Sequence, residues 1–181
     1  MNLEKVTAFR RALLRWHKKH YRNFLWRREP TPYHVLVAEI LLQKTNAEKV
    51  EPAYRQLTRK YPTIRALSRA KIADLIKIIK PLGLLYRAER LRSIAREIIT
   101  RHDGTVPENL QELLKLSGVG LYTANAVLCF GYGKRTAIFD TNVERIFLKE
   151  LGIKSSKSRS RSDKQIWEIA AAILPRRHVK G

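Results

Sequence analysis

Residues 107–145 read PENLQELLKLSGVGLYTANAVLCFGYGKRTAIFDTNVER, and this stretch decides the fold. From Glu108 to Lys115 apolar residues recur at helical spacing, with Leu110, Leu113 and Leu114 on one face. Ser117-Gly118-Val119-Gly120 interrupts that helix with two glycines one residue apart. Tyr122 to Phe130 resumes the helical pattern, with Ala126, Val127 and Phe130 as its apolar stripe. The order is therefore helix, Gly-x-Gly hairpin, helix. Such a turn presents backbone N–H groups, and the start of the following helix adds partial positive charge, so the two together suit a phosphate. Asp140 follows at the start of a further helix over 141–151.

The charge of the whole chain agrees with a phosphate partner. Its 181 residues suit one domain, or two small lobes sharing a core, and 44% hydrophobic residues are enough to fill one. Lys+Arg of 37 against Asp+Glu of 16 gives +21, which points to a polyanion, nucleic acid ahead of an acidic membrane surface. A ribosome-associated or merely basic thermophilic protein would share the charge, but not the constellation of carboxylates described below. The single cysteine, Cys129, excludes an intrachain disulfide and reads as a small buried hydrophobe. The first twenty residues hold no apolar run long enough for a signal peptide or membrane span, so an intracellular place, cytoplasm or nucleoid, is expected.

Elsewhere the periodicity is again helical. Residues 3–20 form an amphipathic helix with Val6, Phe9, Leu13 and Trp16 on one face and Arg10, Arg11, Arg15, Lys18 and Lys19 around the rest. Thr31 is a good N-cap, and Pro32 fits the first turn of a helix running to Lys44, with Val35, Leu36, Ile40 and Leu41 inward. Glu39 and Gln43, four apart, share a face of that helix. Helices follow at 47–60 and 71–79. Pro81 to Arg87 is a loop carrying Leu84, Leu85 and Tyr86, and Arg87 to Thr100 is a helix with Leu91, Ile94, Ala95 and Ile98 inside. After Asp140, Val143, Ile146 and Phe147 continue a helix. Lys154 to Arg161 is a Ser/Lys/Arg loop, and Asp163 caps a last helix with Ile166, Trp167, Ala170 and Ile173 inward. No segment alternates with strand period, so the fold class is all-α.

Leu116-Ser117-Gly118-Val119-Gly120, with Tyr122-Thr123-Ala124 and Asp140 after it, resembles the helix–hairpin–helix superfamily of base-excision DNA glycosylases, Ser117 standing where proline is usual. Trp26-Arg27, then Thr31-Pro32-Tyr33, then Glu39-Ile40-Leu41-Leu42-Gln43-Lys44-Thr45 is similar to the entry segment of its adenine- and thymine-mismatch branches. The resemblance implies two lobes with a DNA-binding cleft between them. One is a six-helix lobe over 28–138 carrying the hairpin at about 116–122; the other joins 1–27 to 139–181. It implies Asp140 as the catalytic carboxylate, Glu39 in the base pocket, and Gln43 with Lys44 reaching into the DNA stack. Leu84, Leu85, Tyr86 and Arg87 become a wedge loop at the DNA, and Gly118, Val119 and Gly120 a phosphate grip.

Relatives of this kind continue into four cysteines that hold a [4Fe–4S] cluster. This chain lacks them, so a cluster is expected only if the natural protein extends past Gly181; no other metal is expected beyond a monovalent or divalent cation on the hairpin. The implied partner is double-stranded DNA with a mismatched or damaged base, bound by a monomer without a membrane.

Base removal breaks an N-glycosidic bond and builds positive charge on the sugar, which a nearby carboxylate stabilises. Asp140 alone would read as a plain helix N-cap, and Glu39 as an ordinary surface carboxylate; the hairpin and the charge favour catalysis. Relatives that also cut the strand carry lysine at the position of Tyr122, as a Schiff-base nucleophile. Tyrosine cannot form that adduct, so a monofunctional enzyme is expected. Adenine-removing relatives have serine there and thymine-removing ones tyrosine, which favours thymine or uracil opposite guanine. Glu39 pulls toward adenine, which leaves best when protonated and so suits A·G or A·8-oxoguanine. A non-catalytic helix–hairpin–helix DNA-binding module is the rival from another class.

Overall fold

A computed structural model describes residues 3–154 and 163–175. All regular structure among them is helical: α1 (Leu3–His20), α2 (Leu25–Arg28), α3 (Pro32–Leu42), α4 (Ala47–Lys60), α5 (Ile64–Ser68), α6 (Ile72–Ile79), α7 (Tyr86–His102), α8 (Leu110–Leu114), α9 (Leu121–Ala126), α10 (Thr141–Ile146) and α11 (Lys164–Ile173). A 3-10 turn, Lys80–Leu82, follows α6, and π-helical turns extend α9 through Val127–Gly131 and α10 through Phe147–Leu151. The short helices α2 and α5 add to those expected from periodicity. Of the Ser/Lys/Arg run, residues 155–161 lie outside the described residues, as does the tail 176–181.

The chain divides into two compact units, Phe24–Lys134 and Met1–Asn23 with Arg135–Gly181. The larger unit is built around α3, whose Tyr33, Val35, Leu36, Val37, Ala38, Ile40 and Leu41 are all buried. Thr31 starts this helix by accepting from the His34 N–H, with Pro32 at the first position as its fixed φ favours. The Tyr33 hydroxyl donates to the Tyr61 carbonyl, and burial pushes this phenol well above its ordinary pKa, so it serves as a neutral donor. α3 packs on α4, α7, α9 and the π turn after α9. At that turn a Cβ on Gly131 would lie 2.7 Å from the Pro32 Cα, so only glycine lets these two backbones meet.

The smaller unit has its own core of Val6, Ala137, Phe139, Phe147, Ile166, Ala170 and Ile173. Phe139 is fully buried, with ring centroids 5.8 Å from Phe147 and 5.7 Å from Trp167. The Arg10 guanidinium ties α1 to α11 through the carbonyls of Ala172 and Ile173. Asp163 caps α11 through the Gln165 N–H, as expected.

Several side chains expected inside point outward. Leu13 and Trp16 of α1 are exposed, because among the described residues of this helix Val6 alone is buried and Phe9 and Arg10 are half-buried. Phe130 is 54% exposed: the π turn from Val127 inserts extra rotation and carries it off the Ala126–Val127 face. Leu114 is exposed beside fully buried Leu113 in a helix of five residues. Ile146 is exposed as well, outside the line of Val143 and Phe147. Cys129 is half-buried rather than enclosed.

Arg87 departs furthest from expectation. It is fully buried, not at the DNA surface. One terminal nitrogen donates to the Leu41 carbonyl at 2.5 Å and the other to the Thr45 hydroxyl at 2.6 Å, while Nε has no hydrogen-bond partner. The periodicity of α7 explains the placement: Arg87, Leu91, Ile94, Ala95 and Ile98 are one stripe.

Two outcomes test this packing. Phe139→Ala should lower stability by about 3–5 kcal/mol, read as a drop in denaturation midpoint, because two aromatic neighbours lose their contact. Arg87→Met should cost about 1–3 kcal/mol by leaving the Leu41 carbonyl and Thr45 hydroxyl without a donor, yet leave the slope of log DNA affinity against log salt unchanged. A slope lower by about one would show Arg87 at a phosphate instead.

Candidate functional site

The hairpin forms as its sequence requires. α8 starts at Asn109, whose side chain accepts from the Gln111 and Glu112 N–H groups, and the chain turns back when the Val119 N–H donates to the Leu116 carbonyl at 3.1 Å. Gly118 has φ +75°, a conformation that costs a side-chain-bearing residue about 1–2 kcal/mol. Val119 is buried as an apolar anchor, while Ser117, Gly118 and Gly120 are exposed. Gly120 is then the N-cap of α9. An exposed glycine turn leading into a helix start is the arrangement that accepts a phosphate.

Ser117 gives the hairpin a contact that proline there would lack. Its backbone N–H donates to Glu97 Oε2 at 3.2 Å, a bond that needs a residue with an amide hydrogen. Glu97 also accepts from the Ser93 hydroxyl at 3.1 Å. α7 therefore carries a carboxylate that holds the hairpin from below, which the sequence reading missed.

Around the end of α3 the chain changes direction sharply. Gln43 is the C-cap with ψ 111°, so it has left the helix that carries Glu39, and Lys44 has φ +57°. Glu39 and Gln43 are both half-buried and Lys44 is exposed. Arg87 secures this exit from inside, since Leu41 and Thr45, its two partners, bracket Gln43 and Lys44. Leu84, Leu85 and Tyr86 are 40–45% exposed, and Leu84 also has positive φ, at +50°. Three apolar side chains held outward in a strained turn suit insertion between stacked bases. Arg87, next in sequence, does not join them.

Tyr122 lies in the first turn of α9 and is half-buried. Asp140 belongs to the smaller unit, where it caps α10. One carboxylate oxygen accepts from the Asn142 N–H at 3.0 Å and the Val143 N–H at 2.9 Å, and the other from the Asn142 side-chain amide at 2.9 Å. Three donors fix the carboxylate in one orientation, and the side chain remains partly open to solvent.

A [4Fe–4S] cluster does not fit these residues. It needs four thiolates, and the chain has Cys129 alone, half-buried beside Phe130 on the π turn. Among the described residues no three His, Cys, Asp or Glu side chains are grouped to hold a metal ion, and no helix is long and apolar enough to cross a membrane.

The chain is similar in sequence and in shape to known DNA glycosylases. The chain is 36% identical over 172 residues to the thymine/uracil-DNA glycosylase of Pyrobaculum aerophilum, spanning 94% of this chain and 75% of that protein. It is 40% identical over 136 residues to the adenine DNA glycosylase of Mycobacterium tuberculosis, spanning 74% of this chain and 44% of that protein. The solved structure of a thermostable thymine-DNA glycosylase superposes with a TM-score of 0.85 at 32% identity, over 95% of this chain and 79% of the other. The family profile described as "HhH-GPD superfamily base excision DNA repair protein" matches residues 37–172, hairpin, Tyr122 and Asp140 included. The chain belongs to the HhH-GPD superfamily of base excision DNA repair proteins.

Proposed function

We propose that this protein is a monofunctional DNA glycosylase that removes thymine or uracil mispaired with guanine from double-stranded DNA. The observation that carries this reading is the 36% identity to a thymine/uracil-DNA glycosylase across 94% of the chain. Its work is inside the cell, where the DNA is.

The chemistry follows from the residues. Base, sugar and catalyst meet only after the nucleotide leaves the stack. The exposed turn at 84–86 supplies apolar side chains to fill the gap, and the hairpin with the +21 charge holds the distorted backbone largely without reading sequence. As the glycosidic bond breaks, positive charge grows on the sugar, and the fixed carboxylate of Asp140 opposes it. Capping and catalysis need the same thing of Asp140, a carboxylate that does not reorganise. Water then completes hydrolysis, and the absence of an amine at Tyr122 ends the reaction at the abasic site. Adenine removal is the second reading, supported by the 40% identity to an adenine DNA glycosylase and by a carboxyl group at Glu39 able to protonate a purine.

Single-turnover assays on T·G, U·G, A·G and A·8-oxoguanine duplexes, developed with alkali, test the substrate. Cleavage of the T·G and U·G strands is expected; cleavage confined to the adenine-containing strands would replace this reading by the second. Asp140→Asn should slow base release at least about a hundredfold while binding persists. Asn caps as well as Asp, so the helix is kept and the charge is lost. A rate near wild type would reduce Asp140 to a cap.

The end point has its own test. Wild-type protein should leave abasic sites that break only on heat or alkali, and borohydride should trap no covalent adduct. Tyr122→Lys should gain trapping and some strand cleavage, because an amine then stands at that position. A folded, DNA-binding lysine variant that traps nothing would put side chain 122 away from the sugar.

A further inference from the structure

Arg90 joins three segments that the sequence keeps far apart. Its Nη1 donates to Gln43 Oε1 at 2.9 Å, at the end of α3. Its guanidinium carbon sits 4.8 Å from the centre of the Tyr86 ring, one turn back on α7 where the exposed 84–86 segment enters the helix. At the hairpin, a Cβ on Gly118 would come within 2.6 Å of Arg90 Cδ and 2.7 Å of Cζ, so this arginine occupies the space that glycine leaves. Seven residues on, along the same face of α7, Glu97 accepts from the Ser117 N–H. That face of α7 is thus the platform for the hairpin, and Arg90 is the point where all three exposed segments meet.

We propose that Arg90 is a positioning residue that clips Gln43, the 84–86 turn and the hairpin into one DNA-facing unit and turns the Gln43 amide donor-first toward the duplex. The proposal rests on the reading that this face binds DNA. A guanidinium has donors and no acceptor, so the amide atom that faces it is the oxygen. Both N–H donors of the Gln43 amide are then carried on the other side, where they suit the acceptor atoms of a base edge. An unpinned glutamine at a helix end would sample both amide orientations and lose side-chain entropy on binding; a pinned one has already lost it. Contact over the Tyr86 ring holds the guanidinium while the bond to Gln43 sets its rotation, and lysine can supply neither the plane nor the fork.

A double-mutant cycle tests this on a duplex with a tetrahydrofuran abasic analogue opposite guanine. No glycosylase consumes that probe, so the result does not depend on which base is excised; failure on the mismatch panel and failure here are separate events. Arg90→Met and Gln43→Ala should each weaken binding about tenfold, and the double variant should be no weaker than the worse single one, because both remove one coupled contact. Arg90→Lys, which keeps charge and stem, should remain at least about threefold weaker than wild type. If Arg90→Met fails to fold, the same cycle is run with Arg90→Lys. Additive losses with a salt slope lower by about one would make Arg90 a phosphate contact and overturn the proposal. Full recovery in Arg90→Lys would overturn it too.

Discussion

An arginine without access to solvent holds the end of a helix with almost no polar surface. α3 is apolar on nearly every side and is packed by five other elements, so its last carbonyl groups cannot all reach water. Arg87 donates to the Leu41 carbonyl and reaches on to Thr45, placing a cation at the negative end of the helix. Burial pulls its guanidinium below the ordinary arginine pKa, while the neighbouring Tyr86 works against that shift. The chain leaves α3 in the interval between Leu41 and Thr45, and Gln43 and Lys44 are the residues it turns outward. Arg90, one turn further along α7, then takes hold of Gln43 from the surface side. Two arginines of one helix therefore set where α3 ends and what its end presents.

The same economy is visible at the hairpin and at Asp140. Gly118 is needed for its positive φ and also for the room it leaves to Arg90, so one residue meets a backbone and a packing demand together. Ser117 places an amide hydrogen where Glu97 can accept it, which couples the turn to α7 by a directional bond. Asp140 spends its carboxylate on two backbone amides and an asparagine side chain. A residue read as a cap and a residue read as a catalyst are here one geometry: the donors that start α10 also hold the carboxylate still. The family match spans Asp140, and a charge of +21 suits the chain to a polyanion.

Local signals determined much of this protein from sequence alone. The helical class, the Gly-x-Gly hairpin, the caps at Thr31, Asp140 and Asp163, and the inward stripe of α7 each depend on residues within about two turns of one another, where sequence spacing and spatial spacing agree. The exposure of Leu84, Leu85 and Tyr86 was legible for the same reason, since glycine and proline mark the turn that carries them. Arg87 was legible in principle, as a member of the Leu91–Ile94–Ile98 stripe, but the family resemblance of its loop argued for the surface and periodicity argued for the core. Only tertiary structure decided between them, by supplying the Leu41 carbonyl and Thr45 hydroxyl as partners. The outward turn of Phe130 was likewise decided there, because a π turn shifts the face by one residue without a mark in composition. Arg90 and Glu97 each have a neighbour one turn back on α7, Tyr86 and Ser93, but their partners at Gln43 and Ser117 stand 47 and 20 residues away, and a hydrogen bond across such a separation exists only once the helices that carry both ends have packed.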